Sequence, residues 1–480
     1  MKIGLVHPSK QSIGKQMPLG LGYLASFLSS KNTGIEIRVL DTGIANKRET
    51  ASFFADKYDI VGISVTTRAF TEAVQIAKTL KHINPHVPIV FGGPHVSIMM
   101  QQVMKEPSID LAVYGEGELT FDELVKLFRE NPNQPSAESF ARIKGLIYRN
   151  NGSVVVTPPR ELIQDLDGLP FPAFHLFPME RYPGKYQMIT SRGCPFSCVF
   201  CASSQIWKRK WRARSPENIV AEVEYLINNF RPRPIDFHDD NFNVSRKRVN
   251  AICDLFIEKN LKIPWSLWGF RADVVDADIA RKMRRAGCTN VAVGVESANN
   301  EMLIRMGKKE TIEQINTCID FLQSAGIDVI GQFMIGNPGE TLETVRESIK
   351  FIKKSKLSKA LWGCAVPFPS TGLWDYVQEC GHFLVEPDCT RFEEIEPRVI
   401  FETPDFTRED RLEALRLVRD AGMLPSGSVS KSLFGRLKKV ISLIWFKYLY
   451  GYLPLSVSYR LYFFLRRLNT KFSRVGRHFR

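Results

Sequence analysis

The chain has 480 residues, 44% of them hydrophobic and 24% charged, which excludes a disordered or fibrous protein and leaves room for two or three globular domains. Its net charge of +14 is gathered at one end: residues 430–480 hold twelve Lys and Arg and no Asp or Glu, leaving +2 for the remainder. The opening MKIGLVHPSK runs straight into strand-like residues without a signal segment, and nine cysteines without paired spacing argue against a disulfide framework, so a cytoplasmic location is expected.

Residues 1–135 alternate short apolar runs with amphipathic stretches, the pattern of a parallel sheet covered by helices. Strands are predicted at 3–7, 36–40, 60–65, 89–91 and 111–114, with helices at 19–29 and 71–82 between them. This is a doubly wound, Rossmann-like sheet, and such sheets bind ligands at the carboxyl ends of their strands. The residues there are Ser64, Thr66 and Thr67 after the third strand, Gly92, Gly93 and His95 after the fourth, and Gly115 and Glu116 after the fifth. Glycine at these points lets a bulky ligand approach the backbone. No Gly-x-Gly-x-x-Gly follows the first strand, which argues against a nicotinamide cofactor.

A polar segment, 136–180, rich in proline toward its end, reads as a linker. The βα alternation resumes over 181–380 as a partial parallel barrel. A strand at 186–191 delivers the loop SRGCPFSCVFCASS, which carries Cys194, Cys198 and Cys201. Three thiolates on one short loop can hold three irons of a 4Fe-4S cube and leave the fourth open. Structural zinc wants four ligands, and the loop contains no histidine to complete the set. Three cysteines in eight residues beside Gly193 and Pro195 also do not follow core periodicity. The others are scattered: Cys253, Cys288, Cys318, Cys364, Cys380 and Cys389 read as small buried hydrophobes, with an auxiliary cluster on the last three as the lesser reading.

Further strands are predicted at 235–238, 265–270, 291–295, 329–335 and 360–366, and a helix at 215–229 opens on Ser-Pro-Glu. The first four of these strands end in Asp239 and Asp240, Arg271, Glu296 and Ser297, and Ile335 and Gly336. Taken locally, Asp239 and Asp240 read as a cap ahead of Ser245. Glu340, in GNPGE, reads as a cap for the next helix.

The cysteine spacing, with aromatic Phe200 before the third cysteine, resembles the radical S-adenosylmethionine (SAM) enzymes. The resemblance implies that the open iron chelates the methionine moiety and that Phe200 packs near the adenine. It further implies that Asp239 and Asp240 meet the amino group, that Arg271 pairs with the carboxylate or substrate, that Glu296 and Ser297 bind ribose, and that Ile335 and Gly336 lie against adenine. The first domain, with its GGPH and GEGE turns, looks like the cobalamin-binding domain of one large branch of that family. On that resemblance Ser64, Thr66, Thr67, Gly92, Gly93, Gly115 and Glu116 are the expected cobalamin contacts. The Asp-x-His-x-x-Gly motif that supplies histidine to cobalt in many cobalamin proteins is absent, so cobalamin without a protein histidine is expected, with a domain that has lost the cofactor as the lesser reading, and His95 reads as a structural or phosphate-facing residue rather than a cobalt ligand.

The implied activity is generation of a 5′-deoxyadenosyl radical followed by methylation of an unactivated carbon, with a flavodoxin or ferredoxin as reductant. A radical cyclase or rearrangement enzyme, like the anaerobic porphyrin-ester cyclases, is the alternative. A tRNA-modifying methylthiotransferase is disfavoured because no cysteine precedes Cys194, so nucleic acid is not an expected partner. A non-catalytic iron-sulfur or cobalamin protein is disfavoured by the whole constellation.

The region 381–480 is expected to be helical and to end in a basic, aromatic tail. No stretch of about twenty residues in the tail escapes a charge or Pro454, so it does not span a membrane. It reads either as an interfacial segment on an anionic surface or as a helical lid with a basic face. The first reading favours a lipid-like substrate over another small molecule.

Overall fold

Five parallel strands form the first sheet of the computed structural model: β1 (Lys2–His7), β2 (Glu36–Asp41), β3 (Ile60–Ser64), β4 (Ile89–Gly92) and β5 (Leu111–Val113). Their order is β2-β1-β3-β4-β5. Ile3, Leu5, Val6, Ile60, Val61 and Ile63 are all buried, as expected for strands covered by helices on both faces. Helices Leu19–Lys31, Phe70–Ile83 and Gly117–Glu130 supply part of that cover. The connections reverse direction between β1 and β3, and such a switch point opens a crevice at the strands' carboxyl ends.

The described residues are 1–9, 15–132, 135–182, 184–385 and 399–423. The segment 136–180, expected to be a linker, instead extends the first sheet. Strands β6 (Leu146–Asn150) and β7 (Ser153–Val156) add antiparallel to β5. Its prolines set backbone direction without exposing the chain: Ala173 N donates to Gly22 O at 3.0 Å, and Phe174 and Phe177 are buried.

The second sheet is β8 (Tyr186–Met188), β11 (Ile235–Phe237), β12 (Trp265–Phe270), β13 (Cys288–Glu296), β14 (Asp328–Ile335) and β15 (Lys359–Cys364), all parallel and in that spatial order. With β8 and β15 as edges, it is the expected partial (β/α)6 barrel. The strand predicted at 186–191 breaks after Met188. Residues Ser191–Arg192 (β9) then pair antiparallel with Arg212–Ala213 (β10). Helix starts carry the expected signals: Ser215 accepts from Asn218 N with Pro216 following, and Thr311 forms a capping box with Gln314.

After the barrel come the short pair His382–Phe383 (β16) and Phe401–Glu402 (β17), then helix Arg408–Asp420, packed against helix Leu342–Lys354. The basic tail lies outside the described residues. No helix among the described residues is long and apolar enough to cross a membrane. One buried cluster runs from Ile3 and Leu21 through Phe174 and Tyr182 to Trp265 and Val329, so both sheets share a core.

Candidate active site

Cys194, Cys198 and Cys201 are free, half-buried thiols on the loop between β9 and the short helix Ser203–Ile206. Gly193 begins the loop at φ 88°, and a side chain there would strike the Lys210 carbonyl. The loop is pinned from the other side, where Val199 N donates to Met306 O and Leu373 N donates to Val199 O, both at 2.9 Å. Asn241 Nδ2 lies 3.9 Å from Cys194 Sγ as a donor. Burial pushes all three thiols up, Cys201 to about 12, and the neighbouring thiols add to the rise at Cys201. Metal binding displaces such protons. Three soft sulfurs on one loop, near enough for the thiols to act on one another, have the donor chemistry for a four-iron cluster with one open iron.

A buried ionic cluster braces this loop. The Arg271 guanidinium lies 3.7 Å from the centroid of the Phe196 ring, between the first two cysteines. Arg271 also donates twice to Asp273, at 3.1 and 2.7 Å, and to Lys308 O at 2.9 Å. Its donors are therefore largely engaged within the protein, although the sequence suggested a ligand carboxylate for them. Lys308, 5% exposed, stands 3.7 Å from Glu296 and 3.2 Å from Glu310. Burial alone would lower the Lys308 ammonium, and the two carboxylates outweigh it and raise it. Glu296 sits at φ 64° where the β13–β14 register shifts, a strained position at a strand end.

Asp239 accepts from Thr190 N at 2.7 Å and from the Thr190 and Ser191 hydroxyls. It fastens the strand entering the cysteine loop. Asp240 accepts from Gly193 N at 3.1 Å and opens into the neighbouring cavity, which makes it the member of the pair with access to a ligand. Ser297 is fully buried with its hydroxyl unpartnered, as is Asn337 Oδ1. Ile335 is buried, and Gly336 turns at φ 107° with its N–H given to Glu340. Glu340 also accepts from Asn337 N at 3.1 Å, and burial lifts its carboxyl to about 7. Glu340 thus caps the turn after β14. Phe200 packs on the apolar group containing Ala365 and Leu373.

A cavity of about 470 Å³ joins the two sheets. On one side stand Ser64, Gly92, Gly93, Gly115 and Glu116, and on the other Ser191, Arg192, Trp207, His238 and Asp240. A Cβ on Gly115 would meet nothing within 4 Å, so the backbone there is bare to the space. That cradle fits a bulky planar group. Gly93 is different, because its Cβ would lie 3.0 Å from Val65 N and O.

Glu116 lines the cavity, yet its carboxylate accepts from Arg192 at 2.6 Å, Arg212 at 2.9 Å and Ile163 N at 2.7 Å. Its role in the fold is to bolt the first sheet to the cysteine loop, not to offer a free carboxylate. Thr66 and Thr67 are not among the lining residues. Thr67 Oγ1 is 3.1 Å from His95 Nδ1, and His95 is fully buried beside Phe70, its imidazole pushed down to about 4 by burial. His95 is therefore a neutral core residue, the structural one of its two readings. Cys253, Cys288 and Cys318 are buried. Cys364 is half-buried, Cys380 is exposed, and Cys389 lies outside the described residues.

Sequence reasoning missed one further pair. Asp236 and His238, two apart on and just after β11, share a face, and Asp236 Oδ2 is 3.1 Å from His238 Nε2. Asp236 also accepts from Trp268 Nε1 at 2.9 Å, from Ser266 and from Lys185. Burial pushes this carboxyl up, but the His238, Lys185 and Ser266 contacts prevail and hold it at about 2. An ionised Asp236 fixes the ring at Nε2, while Nδ1 has no hydrogen-bond partner among the described residues and the ring borders the cavity. Only the alternation in IDFH hinted at this.

Comparison with known proteins agrees with this geometry. The model of the radical SAM superfamily matches residues 188–352, and that of the B12 binding domain matches residues 12–125. An uncharacterized methyltransferase of Pyrococcus horikoshii is 36% identical over 87% of this chain and 91% of its own. The anaerobic magnesium-protoporphyrin IX monomethyl ester cyclase of Rubrivivax gelatinosus is 30% identical over 79% of this chain and 70% of its own. The fold is that of the radical SAM methyltransferase TsrM from Kitasatospora setae, solved with cobalamin and a [4Fe-4S] cluster. Its TM-score is 0.73 at 21% identity, covering 91% of this chain and 95% of that one.

Proposed function

Because the chain belongs to the radical SAM superfamily, in the branch that carries a B12-binding domain ahead of the radical domain, we propose that it methylates a carbon of a small-molecule substrate. It is a radical SAM enzyme whose cofactors are a 4Fe-4S cluster, SAM and cobalamin. The observation that carries methyl transfer is the shared cavity, where the glycine-lined strand ends of the first sheet face Ser191, Arg192, Ser203 and Trp207, the residues that flank the cysteine loop.

When bound, the cluster with SAM supplies a 5′-deoxyadenosyl radical and the cobalamin supplies a transferable methyl group. Cys194, Cys198 and Cys201 hold the cluster. Phe196 under Arg271, and Asn241 beside Cys194, keep the loop from shifting. Asp240, Ser297 and Asn337 offer acceptors for SAM, and Gly92, Gly93 and Gly115 offer the floor for a corrin. His238, oriented by Asp236, presents Nδ1 to the substrate side, which supports a substrate carrying a hydroxyl or N–H near the reacting carbon. The apolar and aromatic walls exclude water from the radical.

The 30% identity to a porphyrin-ester cyclase favours a second reading, ring closure without net methylation. The basic aromatic tail, 430–480, supports contact with an anionic membrane and a lipid-like substrate. Flotation with anionic vesicles, lost on deleting 430–480, is the expected result for that contact.

The test is anaerobic reconstitution with iron, sulfide and cobalamin, followed by incubation with SAM and dithionite. Stoichiometric corrinoid, a four-iron cluster and release of 5′-deoxyadenosine are expected. A protein that forms 5′-deoxyadenosine yet retains no corrinoid would end the methyl-transfer reading. With a candidate substrate, a product one methyl heavier separates methylation from ring closure.

A further inference from the structure

A cationic turn lies directly against the cysteine loop. Between Cys201 and Ser215 the chain carries five cations, Lys208, Arg209, Lys210, Arg212 and Arg214, and no acid. Arg212 and Arg214 are buried and paired with Glu116 and Glu222. Lys208, Arg209 and Lys210 are exposed, and none of the three makes a side-chain hydrogen bond or ion pair among the described residues. Lys208 and Arg209 are consecutive residues in the left-handed region, at φ 51° and 56°, so the turn is held out at a conformational cost. Arg212 pairs with Arg192 across the β9–β10 ladder, and the turn continues that ladder until Lys210 O abuts Gly193, the residue before Cys194. The outermost positive charge is thus carried on backbone that touches the cysteine loop.

Resting on the radical SAM reading above, we propose that Lys208, Arg209 and Lys210 form the docking surface for the electron donor, an acidic one-electron carrier protein of the flavodoxin type. One electron leaves the carrier and one is gained by the four-iron cluster; no bond in either protein changes. Unpaired cations beside the short path to the cluster steer an acidic partner to that spot. Nothing on the turn offers the aromatic stacking surface that a single-stranded nucleic acid would add, since Trp207 is turned into the cavity and Trp211 donates to Asn241 O.

The experiment compares the reconstituted wild type with K208E/R209E/K210E in two ways. Calorimetric titration with oxidised flavodoxin at low salt is expected to show at least about tenfold weaker binding by the variant, with wild-type binding fading as salt rises. The rate of 5′-deoxyadenosine release is expected to fall with flavodoxin as donor and to stay unchanged with dithionite, a small reductant that needs no docking. Equal flavodoxin affinity in the two proteins overturns the proposal. So does a variant that loses the dithionite rate, because the turn would then serve the cluster loop and not the donor. Loss of RNA retention with unchanged flavodoxin binding also overturns it, in favour of a nucleic acid. A wild type that releases no 5′-deoxyadenosine with dithionite defeats the enzymatic reading itself, while the titration still reports on the docking surface.

Discussion

Arg192 donates to Glu116 across 2.6 Å, which ties β9 to the residue that caps the helix after β5. Arg192 stands two positions before Cys194, and Glu116 follows the turn that ends β5. The end of the first sheet and the start of the cysteine loop therefore cannot move independently.

Replacing Glu116 leaves Arg212 buried without a carboxylate and Arg192 with Glu118 as its remaining one, at 2.7 Å. E116A is expected to lower stability by about 3–5 kcal/mol, the usual effect of stranding one side of a buried ion pair. E116Q, which keeps an acceptor, is expected to lose less. Urea unfolding followed by circular dichroism measures both, and an unshifted midpoint for E116A would contradict the bolt.

Arg271 is expected to act on the cluster through Phe196. R271A removes the stack and strands Asp273, so anaerobically purified protein should carry less than half the wild-type iron. F196L, which removes only the ring, should lose less iron and keep the wild-type melting temperature within a few degrees. Iron content by colorimetry decides this, and full iron in R271A would refute the bracing role.

Two of the cavity glycines, Gly115 and Gly93, separate a binding effect from a folding effect. G115L projects into open space, so corrinoid retention should drop severalfold while the far-ultraviolet spectrum is kept, with about 1–2 kcal/mol lost to the left-handed backbone. G93A presses a methyl onto Val65, so it should destabilise the fold whether or not corrinoid is offered. Equal corrinoid content in G115L and wild type would move the corrin elsewhere.

Asp236 gives a pH signature. Its folded-state carboxyl is depressed from 3.8 to about 2, so its contribution is fully present above pH 4 and is lost as pH falls toward 2. The shift corresponds to about 2 kcal/mol. Wild-type stability is expected to fall by that amount more than D236N stability between pH 4 and 2, measured by urea unfolding at each pH. Parallel curves for the two proteins would mean that Asp236 is not held ionised by its neighbours.

The readable parts of the molecule were those whose chemistry is local in the chain. Three thiols on one loop, glycines after apolar runs and a Ser-Pro-Glu helix start all declare themselves within a few residues. The unreadable parts are pairings over distance. Glu116 meets Arg192 at a separation of 76 residues, and nothing in GEGE tells a ligand contact from an ion pair. Lys308 and Glu310, in GKKE, look like a solvated turn and are buried. The 136–180 segment misled because prolines and polar residues mark a wandering backbone, whether it wanders through solvent or across another sheet.

The shared core has a consequence for anyone who would take this protein apart. With Tyr182 donating to Asp41 and Phe174 packed into the same cluster as Trp265, the first 135 residues have no boundary surface of their own. Expressed alone they should present raw apolar area and aggregate, and heating the intact protein should give one calorimetric peak over the described region, not two. A chimera that exchanges the corrin-binding half with a relative will inherit a mismatched seam unless the partners of Arg192 and Arg212 travel with it.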